Sequence, residues 1–181
     1  MDVKAILEQL EKEKTTLQNV PLIKKQPRIC IFYIKDINEL HREFFPKEPK
    51  QWVLYVGESV NISERVKQHL ECDQLPSTLR RSFGAILKQE LKLKAIAGGN
   101  NKSESNIRNY RFGDKGERDL TCWMKQSLEL SVYYCFEDKL NELKKGLIAQ
   151  AKPLLNLTGW ENPYRGRIEQ LRKLCEEEAK T

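Results

Sequence analysis

Three side chains, one on a strand and two on the helix after it, could bind a phosphate or move a proton. Tyr55 lies in the apolar run 53–57, Arg65 follows ten residues later, and His69 follows Arg65 by four. Residues four apart share a helical face, so Arg65 and His69 belong to one side of the helix. A guanidinium fork fits a phosphate, and a phenol or an imidazole can exchange a proton. Each residue alone is ordinary, and their combined spacing is what favours a site.

Other catalytic patterns are missing from the sequence. It has no Gly-rich phosphate loop, no HExxH or GxSxG and no carboxylate cluster typical of a two-metal site. Five cysteines without a CxxC pair, together with two histidines, argue against a zinc site and a disulfide framework. The N-terminus is charged, and no apolar run is long enough for a membrane span. We therefore expect a cytoplasmic protein without membrane contact.

Two strands and a helix must position the three side chains. Arg28–Ile34 is β-branched and aromatic and predicts a buried strand. Residues 52–56 predict a second strand, which Gly57 closes. Asn61 with Glu64 three residues later is an N-cap signature for the next helix. The candidate residues thus lie at the end of one strand and in the first turns of the helix that follows it.

The rest of the chain predicts an α+β fold. The order of the elements indicates a small central antiparallel sheet of about three strands flanked by helices, and not a doubly wound sheet. Further helices are predicted at 2–18, 79–91, 115–126, 138–151 and 164–179, and further strands at 108–112 and 128–136. We divide the chain into an N-terminal helix and linker (1–26), a central domain (27–158) and a C-terminal helix packed on that domain (159–181).

Positive charge is concentrated in one segment. The 181 residues include 32 Lys and Arg against 26 Asp and Glu, a formal net charge of +6. Residues 78–125 hold eleven basic and five acidic residues, so the whole excess lies there. Such a segment favours nucleic-acid binding through counterion release, with a solvated lysine-rich surface as the alternative. The candidate contacts are Arg80, Arg81, Lys88, Arg108 and Arg111.

The two strands and the helix resemble the GIY-YIG nuclease family. That family has a first strand reading Gly-Ile-Tyr, a second reading Tyr-Ile-Gly, and a helix with an Arg and then a Tyr or His. Here the strands read Cys-Ile-Phe-Tyr-Ile (30–34) and Val-Leu-Tyr-Val-Gly (53–57), and the spacing to Arg65 and His69 agrees. Lys-Pro-Leu-Leu-Asn (152–156) resembles the closing Lys-Pro-x-x-Asn segment of the family, and other segments from 79 to 157 resemble short bacterial proteins with this domain.

The resemblance implies hydrolysis of a DNA phosphodiester by water with one Mg²⁺ or Mn²⁺. In the family, the first-motif tyrosine takes or relays a proton of the water, the arginine stabilises the charge of the transition state, and a glutamate on a later helix binds the metal. Tyr55 matches the second-strand tyrosine, and Arg65 matches the arginine. His69 matches the residue one turn later, and Asn156 matches the closing asparagine.

Two positions depart from the family pattern. Phe32 stands at the catalytic tyrosine and has no hydroxyl, and Lys144 stands at the metal-binding glutamate. Without a bulge, Tyr33 would face the other side of its strand. Glu142 lies about 200° around the helix from Lys144. If this register is right, the ammonium of Lys144 would lie where the ion would have been and contact the phosphate.

We therefore expect a DNA-binding protein, with RNA as a further possibility, in which phosphodiester hydrolysis is lost or reduced. Binding would use a face formed by Arg65 and the basic segment. One alternative is an active metal-dependent endonuclease that uses Tyr33 as a catalytic residue, or Glu142 as a metal ligand, in a shifted register. The other is a protein-interaction module that retains only the fold.

Overall fold

The computed structural model describes residues 2–19, 28–40, 53–59 and 77–181. In chain order, its elements are α1 (Val3–Lys12), β1 (Thr15–Thr16), β2 (Arg28–Ile34), a 3-10 turn (Ile37–Glu39), β3 (Val53–Ser59), α2 (Thr78–Ile86), β4 (Ala95–Ile96), α3 (Glu104–Arg108), β5 (Arg111–Phe112), α4 (Asp114–Ser127), β6 (Leu128–Tyr134), α5 (Glu137–Ala151) and α6 (Arg165–Lys180). None of the helices in these ranges is long and apolar enough to cross a membrane.

The chain forms two compact units. The first, the sheet unit, contains α1, the strands β1, β2, β3 and β6, and helix α5. The second, the helical unit, contains α2, α3, α4, α6 and the short strands β4 and β5. The predicted α+β class is therefore confirmed.

The main sheet is antiparallel with the strand order β1-β6-β2-β3. All seven residues of β2 are buried, and they pair continuously with β6. A central strand covered on both faces favours an apolar run without polar alternation, which explains the Ile-Cys-Ile-Phe-Tyr-Ile sequence. The three long strands match the prediction, and the two-residue strand β1 is a fourth that the sequence did not predict.

Strand β3 contains a β-bulge at Leu54. Phe32 pairs with Tyr55 and Tyr33 pairs with Val53, so Leu54 is the extra residue. The bulge lies in β3, whereas β2 stays in regular register with β6. Phe32 and Tyr33 therefore keep opposite faces of the sheet, as neighbours in a regular strand do.

One face of the sheet packs against α1 and α5. Ile29, Ile31 and Tyr33 of β2 join a buried cluster with apolar residues that recur at helical spacing. The helical members are Ile6, Leu7 and Leu10 of α1, and Leu143, Leu147, Ile148 and Ala151 of α5. Gly146 lets α1 approach α5, because a Cβ there would lie 2.9 Å from Cγ2 of Val3.

In the helical unit, α6 packs against α2, α3 and β4. The strands β4 and β5 pair so that Ala95 lies opposite Phe112. Phe83 of α2 and Trp123 of α4 have ring centroids 5.3 Å apart, and both residues are buried. Trp123 is therefore a core anchor of this unit.

Four element boundaries differ from the sequence prediction. Strand β3 continues through Gly57, which was predicted to close it, and ends at Ser59. Helix α1 ends at Lys12, not at residue 18, because the two threonines of β1 pair with β6. The predicted strand 108–112 is instead the end of α3 followed by β5, because Ser103 caps a short helix there. The predicted helix 79–91 ends at Ile86. Pairing with a distant strand thus shortens α1, whereas a local side-chain cap explains the start of α3.

Candidate functional site

Phe32 and Tyr55 face each other across β2 and β3. They are register partners, and their ring centroids lie 6.3 Å apart with the ring planes inclined at 54°. Phe32 is 1% exposed, whereas Tyr55 on the outer strand is half-buried. Phe32, which the sequence resemblance matched to a catalytic tyrosine, thus adjoins Tyr55 and contributes a phenyl ring without a hydroxyl.

The ring of Tyr55 lies over Gly57 of the same strand. A Cβ at residue 57 would come within 2.7 Å of Cε1 of Tyr55 and 3.6 Å of its Cζ. Residues two apart on a strand share a face, so a side chain at 57 would compete with the ring for the same space. Gly57 therefore lets the ring lie along the strand towards the end of β3.

Tyr33 lies on the other face of the sheet, within the core under α1 and α5. Its hydroxyl is 3.0 Å from Oγ of Ser131, and Nζ of Lys14 lies 4.8 Å from the centre of its ring. Burial, opposed by the Ser131 hydrogen bond and reinforced by the charge of Glu11, raises the pKa of Tyr33 to about 12. Tyr33 therefore stays protonated at neutral pH on the face opposite Tyr55, and β2 has no bulge to bring it round.

Asn156 holds the outer edge of β3. The Val56 amide donates to Oδ1 of Asn156 (2.8 Å), and Nδ2 of Asn156 donates to the Val56 carbonyl (2.9 Å). The Leu155 amide donates to the carbonyl of Leu54 at 2.8 Å, so residues 154–156 run beside the strand. Asn156, which the sequence suggested as a catalytic residue, is buried and satisfies the backbone beside Tyr55. Its geometry is that of a positioning residue.

Two side chains that the sequence did not single out for the site fix the carbonyl of Asn156. Nε1 of Trp160 and Nδ2 of Asn162 each donate to it at 3.0 Å, and Asn162 also donates to the carbonyl of Leu154 at 2.8 Å. The available signal was the segment Asn156–Asn162 itself, where a Gly, a Trp and an Asn follow the closing motif within six residues. A loop without regular structure needs such side-chain donors for its carbonyls.

Lys144 forms an ion pair with Glu58. Its Nζ lies 3.1 Å from Oε1 of Glu58, and both side chains are partly exposed. Glu58 pairs with Ile29 in the register, which assigns it to the face of α5, whereas Tyr55 shares the face of Phe32. Glu58 thus balances the charge of Lys144 on the side of the sheet opposite Tyr55. From the sequence, the ammonium was instead expected to contact phosphate.

Glu142, suggested as a metal ligand in a shifted register, points away from the sheet. Its side chain is 73% exposed, and its Oε2 lies 3.9 Å from Nζ of Lys139 on the same helix. In the described ranges, no three His, Cys, Asp or Glu side chains lie together as a metal site requires. A lysine ammonium at residue 144 cannot coordinate a cation. The donor groups in the described ranges therefore do not fit Mg²⁺ or Mn²⁺.

Arg80, predicted to bind nucleic acid, is instead a core residue of the helical unit. Its guanidinium donates to Oε2 of Glu117 through Nε (3.1 Å) and Nη2 (2.5 Å), and also to the Glu117 carbonyl and Oγ1 of Thr121. Arg80 and Glu117 are both 6% exposed. Glu117, 37 residues away in the chain, thus accepts hydrogen bonds from the guanidinium of Arg80. The prediction that Arg80 is a surface contact was wrong.

Arg81 and Lys88 are also held by protein groups. Arg81 donates to the carbonyl of Arg108 and, at 3.3 Å, to Oγ1 of Thr78. Lys88 donates to the carbonyl of Leu93 at 3.1 Å and lies 3.0 Å from Oε2 of Glu178. Lys88 therefore connects the turn after α2 to α6 and does not belong to an open cationic face.

Arg108 and Arg111 are exposed, and each pairs with an acid on a neighbouring turn. Arg108 lies 2.5 Å from Oε1 of Glu104, and Arg111 lies 3.3 Å from Oδ1 of Asp114. Exposed pairs of this kind are weak and exchange readily with other anions. These two arginines remain accessible to a polyanion.

A cationic depression that the sequence did not single out lies beside the start of α4. It encloses about 300 Å³ and is lined by three lysines and two aspartates, Lys92, Lys94, Lys115, Asp114 and Asp119. Lys115 pairs with Asp119 at 2.6 Å. Lys92 and Lys94 are exposed, and neither forms an ion pair within the described ranges. The residues come from two turns more than 20 positions apart, so only the fold reveals the grouping.

Arg65 and His69 lie outside the described residues. Their predicted shared helical face, and their approach to Tyr55, therefore stay predictions. The described part of the site consists of Tyr55 over Gly57, its neighbour Phe32, and the Asn156 clamp on the outer edge of β3.

Comparison with known proteins identifies the family of the chain. The family model described as the GIY-YIG catalytic domain matches residues 23–174, which is most of the chain. Neither the curated proteins nor the solved structures contain a match. The matched span includes both strands of the Phe32–Tyr55 pair, the helix with Lys144 and the clamp at Asn156. The chain belongs to the GIY-YIG catalytic domain family.

Proposed function

We propose that this GIY-YIG domain binds nucleic acid, DNA in the first place, and has lost most or all phosphodiester hydrolysis. The observation that carries the proposal is the neighbour of Tyr55: the register partner on β2 is Phe32, in the position where the family uses a tyrosine. A phenyl ring can neither accept nor relay the proton of an attacking water. The reaction therefore lacks its proton acceptor while the fold around the position is intact.

The shifted-register enzyme finds little support in the geometry. Tyr33 would need to lose a proton held with a pKa of about 12, on the face opposite Tyr55. Glu142 points to solvent beside Lys139. With Lys144 paired to Glu58, no carboxylate in the described ranges stands where the family has its metal ligand. Hydrolysis by this chain would require groups of another kind.

Binding can outlast hydrolysis because phosphate recognition uses other residues. The depression of Lys92, Lys94 and Lys115 is open and cationic, and Arg108 and Arg111 are exposed. Arg65 would add a guanidinium near Tyr55, as the sequence spacing predicts. Most affinity of a protein for DNA comes from such backbone contacts. The proposed contacts therefore exclude the buried Arg80 and the internally paired Lys88.

A nicking assay on supercoiled plasmid DNA with Mg²⁺ or Mn²⁺ tests the loss of hydrolysis. The proteins compared are the wild type, Phe32→Tyr, Lys144→Glu and the double variant, each checked for folding by circular dichroism. We expect no cutting by the wild type and none by the variants, because a carboxylate at residue 144 would lie beside Glu58, on the face of the sheet opposite Phe32 and Tyr55. Wild-type cutting that disappears in Arg65→Ala would overturn the proposal.

Binding is tested separately with fluorescently labelled duplex DNA and RNA at a series of KCl concentrations. We expect the logarithm of the affinity to fall linearly with the logarithm of the salt concentration. Lys92→Gln/Lys94→Gln should reduce that slope by about 2, or about 0.9 for each lost phosphate contact. Lys173→Gln, on the exposed side of α6, is the control and should leave the slope unchanged. A wild type without affinity at low salt would favour a protein-interaction module.

A further inference from the structure

Two arginines of the helical unit converge on the first residue of α2. Nη2 of Arg81 donates to Oγ1 of Thr78 at 3.3 Å, and Nη2 of Arg172 donates to the carbonyl of the same residue at 3.3 Å. Arg172 also donates to Oγ of Ser82, one turn further along α2. Residues from α2 and α6 thus bring two guanidinium groups to one spot.

These two cations have no anionic partner among the described residues. The Nε atoms of Arg81 and Arg172 are both buried without a hydrogen-bond acceptor. Neither guanidinium belongs to an ion pair in the described ranges, since Glu169 pairs with Arg165 at 2.9 Å, and Glu176 acts on both arginines only from a longer distance. Oxygen atoms of neutral groups are their hydrogen-bond partners.

Two other cations of the helical unit, Arg80 and Lys88, each have a carboxylate partner. Arg80, one residue away, has Glu117 at 2.5 Å, and Lys88 has Glu178 at 3.0 Å. Arg81 and Arg172 are partly buried, and a partly desolvated charge is normally stabilised by such a partner. Arg81 and Arg172 therefore form an exception that an anion from outside the chain would remove.

The surroundings strengthen the need for an anion. Burial lowers the pKa of both arginines, and for Arg172 the neighbouring charge of Arg81 lowers it further. Both groups also lie at the start of α2, where the positive end of the helix dipole disfavours cations. The hydroxyl of Tyr110, a residue that is 2% exposed, donates a hydrogen bond to the Arg81 carbonyl and fixes the backbone of Arg81. The framework is held in place, and among the described carboxylates only Glu176, together with Glu169 for Arg172, opposes its charge from beyond ion-pair distance.

We propose that Arg81 and Arg172, with Thr78 and Ser82, form an oxyanion site that takes a phosphate group. Two convergent guanidinium groups, whose Nη atoms donate only to oxygens of neutral groups, suit a tetrahedral anion with several acceptor oxygens. The phosphate belongs either to a nucleic-acid backbone or to a small phosphate compound. The site lies wholly in the helical unit and does not depend on the function of Tyr55.

Inorganic phosphate is the probe for the first experiment. Thermal unfolding of the full chain is followed as sodium phosphate replaces sodium chloride at constant ionic strength. We expect the wild type and Lys173→Gln on the same helix to gain stability with phosphate concentration, as a ligand of the folded state requires. Arg172→Gln should bind phosphate about tenfold more weakly. An equal gain in Arg172→Gln and the wild type, or no gain in either, overturns the proposal.

A second readout keeps the test independent of how well the glutamine variant folds. In Arg172→Lys the charge remains but the fork is lost, so phosphate affinity should again fall about tenfold. Nitrogen-15 NMR of the wild type observes the Nε–H groups directly. We expect the signals of Arg81 and Arg172 to move together during a phosphate titration while that of Arg165 stays fixed. Signals that do not move contradict the site.

A labelled DNA duplex identifies the source of the phosphate. If a backbone phosphate occupies the site, Arg172→Gln lowers the salt slope of DNA binding by about 0.9 compared with wild type and Lys173→Gln. If DNA binding is unchanged while phosphate binding is lost, the site takes a free phosphate compound. A variant that binds both inorganic phosphate and DNA as the wild type does would show that there is no oxyanion site here.

Discussion

The side-chain amide of Asn156 forms two hydrogen bonds with the backbone of Val56, one to its amide and one to its carbonyl. None of the described strands pairs with this edge of β3, and the amide group of Asn156 takes up hydrogen bonds there. Val56 is the residue after Tyr55 on β3, the strand that pairs Tyr55 with Phe32. Loss of this clamp should loosen the outer strand before it affects any other part of the sheet.

We predict that Asn156→Asp destabilises the fold by about 2 kcal/mol, because a carboxylate keeps the acceptor for Val56 but sets an oxygen against its carbonyl. Urea unfolding measures the change. Asn141→Ala, at an exposed position of α5, is the control and should change stability by less than about 0.5 kcal/mol. Equal effects of the two substitutions would argue against the clamp.

Gly57→Ala should destabilise the protein by about 1–3 kcal/mol, because the new Cβ would lie 2.7 Å from the ring of Tyr55. Most of that cost should disappear in a Tyr55→Ala background, since the ring that clashes is then absent. Unfolding free energies of the four proteins in this double-mutant cycle give the coupling. Gly166→Ala is the control and should be neutral or stabilising, because the added Cβ would have no neighbouring atom within 4 Å. A Gly57 cost independent of Tyr55 would contradict the contact.

The pKa of Tyr33 makes stability depend on pH in the alkaline range. Its folded value of about 12 exceeds the ordinary value of 10.0, so below pH 10 both states keep the proton and stability is unaffected. Between pH 10 and 12 the unfolded state ionises first, and stability falls by on the order of 2 kcal/mol. The fall should be smaller in Tyr33→Phe, measured by urea unfolding at pH 8, 10 and 11. Identical pH profiles would mean that Tyr33 is not the group responsible.

The buried ion pair of the helical unit predicts opposite effects for one and two substitutions. Arg80→Met leaves Glu117 buried without its partner and should cost about 3–5 kcal/mol. Arg80→Met/Glu117→Gln should recover most of this loss, because glutamine can still accept from the Phe112 amide. Unfolding in urea measures both. DNA affinity of the folded double variant should equal that of the wild type, and a tenfold loss would restore Arg80 as a surface contact.

The sequence predicted those strands and helices that depend on local patterns of residues. The run Arg28–Ile34 gave a central strand, and the 3.6-residue spacing of Leu143 and Leu147 gave α5. Features that depend on a distant partner were not predictable: the charge of Arg80 does not reveal that Glu117 lies beside it. The same holds for β1, whose two threonines form a strand because β6 offers them an edge.

At the candidate site, the sequence predicted the two strands but not the register between them. The pairing of Phe32 with Tyr55 depends on that register and is seen only in the structure. The side of the sheet on which Lys144 lies depends on its contact with Glu58, 86 residues away in the chain. An ion pair at such separation leaves no periodic signal in the sequence.

Lys144→Glu should convert an ion pair into a site for a divalent cation, because it brings a second carboxylate beside Glu58. Without a metal, repulsion between the two carboxylates lowers stability by about 1 kcal/mol, whereas the partly exposed pair itself contributes less than that. We expect added Mg²⁺ or Ca²⁺ at constant ionic strength to raise the melting temperature of this variant and not that of the wild type. Lys145→Glu makes the same charge change at the exposed neighbouring position and should not respond. If Lys145→Glu responds equally, the effect is general screening, and Glu58 does not face residue 144 closely enough to share an ion.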